Sequence, residues 1–122
     1  MRRYQSESTV ESESGRFIDL TDKVTEALEE SDVRSGRVTV FVTNDDTRLV
    51  VNEKESGLLG DMERLFDRLG PDTSGALLGR ASVTVPIEDG RLHLGTWQRI
   101  LLVSLAPSLD DSRTVILEVT GN

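Results

Sequence analysis

Residues 81–94 read ASVTVPIEDGRLHL, and this stretch decides the fold class. Ala81, Val83, Val85 and Ile87 recur at every second position, the period of a strand with one buried face. Asp89-Gly90 follows, a dipeptide suited to the positive φ angles of a tight hairpin turn, and Arg91–Leu94 resumes a strand. Working outward, Val38, Val40 and Val42 alternate with Thr39, Phe41 and Thr43 in a second clear strand. Asn44-Asp45-Asp46 is turn-like, and Leu49-Val50-Val51 resumes a strand, which predicts a hairpin. Ile100–Leu105 and Thr114–Val119 supply two more strands around the polar loop Ala106–Ser112. Residues 4–13 alternate weakly and are rich in Ser and Glu. They read as an edge strand, or as disorder in the first few residues.

Two helices fit between these strands. Val24, Ala27 and Leu28 are spaced for a helix at 22–31, with Thr21 as its N-cap. Leu58, Met62, Leu65, Phe66 and Leu69 form the apolar stripe of another, capped by Ser56 and ended by Gly70-Pro71. The sum is an α+β fold. It predicts a mainly antiparallel β-sheet sandwich of six or seven strands with two helices packed on it.

At 122 residues the chain predicts a single domain spanning 1–122, since domains cluster at roughly 100–150 residues. Lys+Arg number 14 against 22 Asp+Glu, a formal net charge of −8. An acidic chain does not attract phosphate backbones, which argues against general nucleic-acid or anionic-membrane binding. Lys23 and Lys54 are the only lysines. A lysine-poor acidic surface suits a high-salt cytoplasm, and a GC-rich genome equally favours Arg over Lys. There is no cysteine, which excludes disulfides, thiol nucleophiles and Cys-type metal sites. His93 is the single histidine, so no chain supplies two histidines to one site, and tightly bound zinc is not expected. No apolar run approaches the roughly 18 residues of a membrane span, and the N-terminus has no apolar signal core; a cytoplasmic protein is expected.

Four blocks carry a resemblance. They are Phe17-Ile18-Asp19-Leu20-Thr21 with Gly36 and Val38–Val42; Leu49-Val50-Val51-Asn52-Glu53 followed by Asp61-Met62-Glu63-Arg64; Leu77-Leu78-Gly79 running into Val83-Thr84-Val85-Pro86-Ile87; and Asp89-Gly90-Arg91-Leu92 with Leu94-Gly95-Thr96-Trp97-Gln98. In order and spacing the chain resembles the YjbQ-like proteins, also called the secondary thiamine-phosphate synthase family. The resemblance implies a small cytosolic α+β protein that assembles as a homotrimer. It also implies a histidine cluster in a cleft, often with a bound metal or anion, and in some members weak thiamine-phosphate synthase activity. Where the family's strand end carries a histidine, this chain has Asn44-Asp45-Asp46-Thr47. Where the family has a His-x-His pair, it has the shorter Pro71-Asp72-Thr73-Ser74-Gly75-Ala76, and a glutamate usual after GTWQ falls at about Ser104.

Each candidate residue has two readings. Asn44, Asp45 and Asp46 are oxygen ligands for a hard cation, together with Glu53 and Asp61, or a solvated turn. Glu53 and Asp61 are an acid/base pair, or Asp61 merely favours its helix N-terminus; Glu53, directly after an apolar strand, has no such local reason. His93 is a pH-responsive group or a packed strand side chain. Thr96, Trp97 and Gln98 after Gly95 line a pocket, alongside Asn52, or form a bulge followed by a core or interface tryptophan. Arg91 and Arg113 clasp a phosphate of a small phosphorylated ligand, or are surface counter-charges. The expected function is a catalytically degenerate trimeric binding and assembly module without cofactor, its apolar face 97–105 a candidate contact. The alternative is a weak thiamine-phosphate synthase-like enzyme whose carboxylates and a cation replace the histidines.

Overall fold

The computed structural model describes residues 1–11, 16–105 and 112–122. Its strands are β1 (Arg2–Glu11), β2 (Phe17–Asp19), β3 (Gly36–Val42), β4 (Thr47–Glu53), β5 (Ser82–Glu88), β6 (Arg91–Leu92), β7 (Gln98–Ser104) and β8 (Ser112–Gly121). Its helices are α1 (Thr21–Ser31), α2 (Ser56–Leu69) and α3 (Pro71–Leu78). A five-stranded sheet runs β1-β8-β3-β5-β6 and a three-stranded sheet runs β2-β7-β4. Every pairing is antiparallel. The α+β class with a largely antiparallel double sheet is therefore what the alternation predicted.

The core lies where the two sheets face each other. Val38, Val40 and Val42 of β3, Val115, Leu117 and Val119 of β8, and Ile100 and Leu102 of β7 are buried in one cluster. Helix α1 adds Val24, Ala27 and Leu28. Each such Val, Leu or Ile side chain contributes roughly 1.5–3 kcal/mol by leaving water. Strand β7 is buried on both faces, from Ile100 through Ser104. Beside it in the smaller sheet, Phe17 of β2 pairs with Val103 and packs against Phe66 of α2 with ring centroids 6.4 Å apart.

Several expectations are corrected. The predicted β3–β4 hairpin does not form: β3 is already paired to β8 on one edge and β5 on the other, so β4 joins the second sheet beside β7. Leu20, not Thr21, is the N-cap of α1, and no side chain caps it. Ser56 does not cap α2; the Glu55 carboxylate accepts from Gly57 and Leu58 N–H. Gly70 ends α2 as expected, but Pro71 then opens α3 at a position where its missing N–H costs nothing. The third helix and the three-residue β2 bring the totals among the described residues to three helices and eight strands. Strand β1 lies on an edge as predicted and starts at Arg2; positions 12 and 13 of its predicted range, and 106–111 of the predicted polar loop, lie outside the described residues. Of the α2 stripe only Phe66 is buried, whereas Leu58 and Leu65 remain exposed. In the 97–105 face, residues 100–105 are consumed by the chain's own interior, so Trp97 and Gln98 are the exposed part.

Inside α3, Ser74 is fully buried and its hydroxyl has no hydrogen-bond partner among the described residues. A buried unsatisfied hydroxyl is a cost, and alanine is the better helix former. Ser74→Ala is expected to leave stability unchanged or raise it by up to about 1 kcal/mol. A lower urea midpoint for the variant would show that the hydroxyl is satisfied.

Candidate functional site

The β4–β7 register places Glu53 opposite Gln98 and Asn52 opposite Arg99. That pairing brings the end of β4 against the Gly95–Gln98 turn and opens a cleft of about 470 Å³ between them. Asp19, Glu53, Lys54, Glu55, Thr96, Trp97 and Arg99 line it. The turn is closed from both sides: Gln98 N donates to Gly95 O at 3.0 Å, and Gly95 N donates to Gln98 Oε1 at 2.7 Å. A Cβ on Gly95 would lie 3.0 Å from that Oε1, so glycine lets the side chain fold back over the turn. Trp97 is carried at the tip and is 73% exposed.

Asp19, at the end of β2, organises the inner wall. Its Oδ1 accepts from Thr21 N at 2.9 Å, its Oδ2 accepts from Arg99 Nε at 2.8 Å, and Lys54 Nζ lies 3.8 Å away. Burial works against its charge, but the Thr21 N–H and Arg99 guanidinium outweigh burial and hold the carboxyl below its usual range. Arg99 also donates to Asp22 at 3.3 Å, and its hydrogen bond to Asp19 raises its own pKa. Glu55 spends its carboxylate on the α2 cap, which lowers its pKa. The Glu53 carboxylate has no hydrogen-bond or ion-pair partner among the described residues.

Of the residues anticipated from sequence, Glu53, Thr96 and Trp97 meet in this cleft. Thr96 and Gln98 also line a neighbouring hollow of about 400 Å³ that includes Arg91. Arg91 further borders a hollow of about 490 Å³ with Arg34 and His93, the latter 2.5 Å from Glu88. Asn52 opens onto a separate groove of about 430 Å³ with Val51, Leu78 and Arg80. Asp61 is not among the residues lining the Glu53 cleft; it is exposed and pairs with Arg64 one turn along α2. Arg113 is buried, with its guanidinium on Asp46, and offers no exposed fork beside Arg91. Asn44 sits in the turn before β4, where its Oδ1 accepts from Thr114 N at 2.9 Å.

Asp19, Lys54, Glu55 and Arg99 were not anticipated as site residues. A signal was present for two: Asp19 is a lone acid in the apolar run Phe17–Leu20, and Arg99 directly follows the Gly95–Gln98 segment. Among the described residues no group of three or more His, Asp or Glu side chains is placed to hold a metal ion. Among them, too, no helix is long and apolar enough to cross a membrane.

The family model for UPF0047 protein YjbQ-like matches residues 6–122. The chain belongs to the YjbQ-like family. A UPF0047 protein of Archaeoglobus fulgidus is 40% identical over 103 aligned residues, covering 71% of this chain and 79% of that protein. Another, of Methanothermobacter thermautotrophicus, is 36% identical over 105 residues, covering 73% of each. Among solved structures, a YbjQ-like protein of unknown function from Sulfolobus solfataricus superposes with a TM-score of 0.87 at 25% identity, over 99% of both chains. A hypothetical protein from Aeropyrum pernix has a TM-score of 0.83 at 32% identity, covering 97% of this chain and 98% of that one. The family resemblance drawn from the four sequence blocks thus holds over nearly the whole chain.

Proposed function

We propose that this YjbQ-like chain is a cytoplasmic, self-assembling binding module, a homotrimer in which thiamine-phosphate synthase chemistry is absent or negligible. The observation that carries this reading is the fate of the turn at Asn44–Thr47, the place where the family's resemblance puts a histidine. Asn44 Oδ1 receives Thr114 N, Asn44 O receives both Thr47 N and Thr47 Oγ1, Asp46 Oδ2 receives Arg113, and Asp46 O receives Leu105 N. These polar groups hold β4 and β8 in place rather than facing a reactant. A transferase acting on a pyrimidine diphosphate must stabilise a leaving pyrophosphate with donors, cations or a metal. Here Asp45 and Asp46 stand at that turn, and the guanidinium groups beside them, Arg48 and Arg113, are engaged with Asp45 O and the Asp46 carboxylate.

Assembly is supported by the apolar surface left over. Leu65 is 49% exposed and Leu77 70%, large apolar groups that a second copy would cover. A small phosphorylated ligand fits the hollow beside Arg34 and Arg91, where two guanidinium side chains share the rim.

Two measurements test the reading. Light scattering in low and high salt is expected to give three times the chain mass of 13.5 kDa, and a monomer mass in both overturns the assembly. Expression in a cell lacking its own thiamine-phosphate synthase is expected to give no growth without thiamine. Growth that is lost again on Glu53→Ala would replace this reading by the carboxylate–cation enzyme.

A further inference from the structure

We propose that the cleft between Glu53 and Trp97 binds a small organic cation of the alkylammonium class. This names a ligand for the binding module proposed above and rests on that reading. The argument starts from which charges in the cleft are already committed. Arg99 is bound to Asp19 and Asp22, and Lys54 leans on Asp19, so both cations face carboxylates of their own chain. Glu55 is committed to the two N–H groups of the α2 cap. Glu53 is left over: exposed at the strand end, charged, and without a partner among the described residues. Three carboxylates against two cations leave the lining net negative.

Trp97 supplies the second half of the recognition. At 73% exposure the indole is open to an incoming group, and its face carries the negative end of the ring quadrupole. The doubly closed Gly95–Gln98 turn fixes the backbone that carries it, so little order has to be imposed when a ligand arrives. A carboxylate and an aromatic face lining one cleft of about 470 Å³ suit an alkylammonium group: weakly hydrated, cationic, and apolar in its methyl shell. An anion would meet Glu53 directly and would have to pull Arg99 or Lys54 away from Asp19. A metal ion would find one uncommitted carboxylate.

Trp97 is the only tryptophan of the chain, so intrinsic fluorescence reports on this cleft alone. Purified full-length protein is titrated with tetramethylammonium chloride, with sodium chloride at equal ionic strength, and with sodium pyrophosphate. A saturable change is expected with tetramethylammonium only. Glu53→Gln is expected to raise its half-saturation by about threefold, the size of an exposed charge contact. Trp97→Leu, followed by calorimetry, is expected to weaken binding by about fivefold or abolish it. Equal responses to sodium and tetramethylammonium, saturation by pyrophosphate alone, or an unchanged half-saturation in Glu53→Gln each overturn the proposal. Light scattering on the same samples reads the assembly separately, so a trimer that ignores tetramethylammonium refutes the ligand and leaves the assembly standing.

Discussion

Gly36→Ala is expected to destabilise the protein by on the order of 4 kcal/mol, a loss in the exceptional range for one substitution. Gly36 pairs with Gly121 where the start of β3 meets the end of β8. The two backbones approach so closely that a Cβ on Gly36 would lie 2.0 Å from Thr120 O and 2.7 Å from Gly121 Cα. A Cβ on Gly121 would lie 2.0 Å from Ser35 O. Both residues also hold φ angles that side chains rarely adopt, +155° and +148°. The obstructing atoms are backbone, so no rotamer change relieves the clash, and the β3–β8 ladder itself must open. Gly70→Ala is the control: its φ is +82°, but nothing lies within 4 Å of the added carbon. With ψ at 167° its backbone lies in a region essentially reserved for glycine, so it should cost about 1–3 kcal/mol of backbone strain without any clash. Urea unfolding of both variants checks the pair. A Gly36→Ala midpoint no lower than that of Gly70→Ala would refute the close approach.

Thr21→Val is expected to cost about 2 kcal/mol, because it removes an acceptor while keeping the shape. Thr21 is buried, and its Oγ1 receives the backbone N–H of Ile100 at 2.8 Å. Ile100 is fully buried in the centre of the smaller sheet, so the orphaned N–H cannot turn to water. Thr21→Ser keeps the hydroxyl and loses only a methyl, so about 1 kcal/mol is expected. Equal unfolding midpoints for the two variants would show that the hydroxyl carries no such load. Because Ile100 follows Arg99, the Val variant should also loosen the Asp19–Arg99 contact at the inner wall of the cleft.

Thr21 shows what sequence reading can and cannot reach. A threonine ahead of a helical stripe reads as an N-cap, since the local rule sees only the helix it precedes. In the fold its hydroxyl serves a strand 79 residues away, and Leu20 takes the cap position with its own N–H donating to Ile100 O. The Asn44–Asp46 turn is a similar case. Its residue types correctly announce a turn, but which strand follows next to which depends on the edges of β3 already being taken. Gly95-Thr96-Trp97-Gln98 combines a tight turn with an aromatic ring, and the fold puts Thr96 and Trp97 at the lining of a cleft. Pairing Glu53 with Asp61 placed two carboxylates by nearness in sequence, and Glu53 instead faces Thr96 and Trp97 across the cleft.

By itself the sequence determined the strands set by alternation and the tight turn between two of them. Alternation at residues 38–42 and 81–87 settled the strands, because a two-residue period buries one face whatever lies opposite. Asp89-Gly90 settled the hairpin: Asp89 and Gly90 take φ of 53° and 73°, which those residue types tolerate. The four blocks pointed to the family, and the single histidine ruled out a histidine cluster within one chain. Only the tertiary structure decided the division into two sheets, the third helix after Gly70, and the cleft that joins Asp19, Glu53, Trp97 and Arg99. Those features depend on which strand edges remain open and which charges find partners across 34 to 80 positions of chain, and no local pattern encodes that competition.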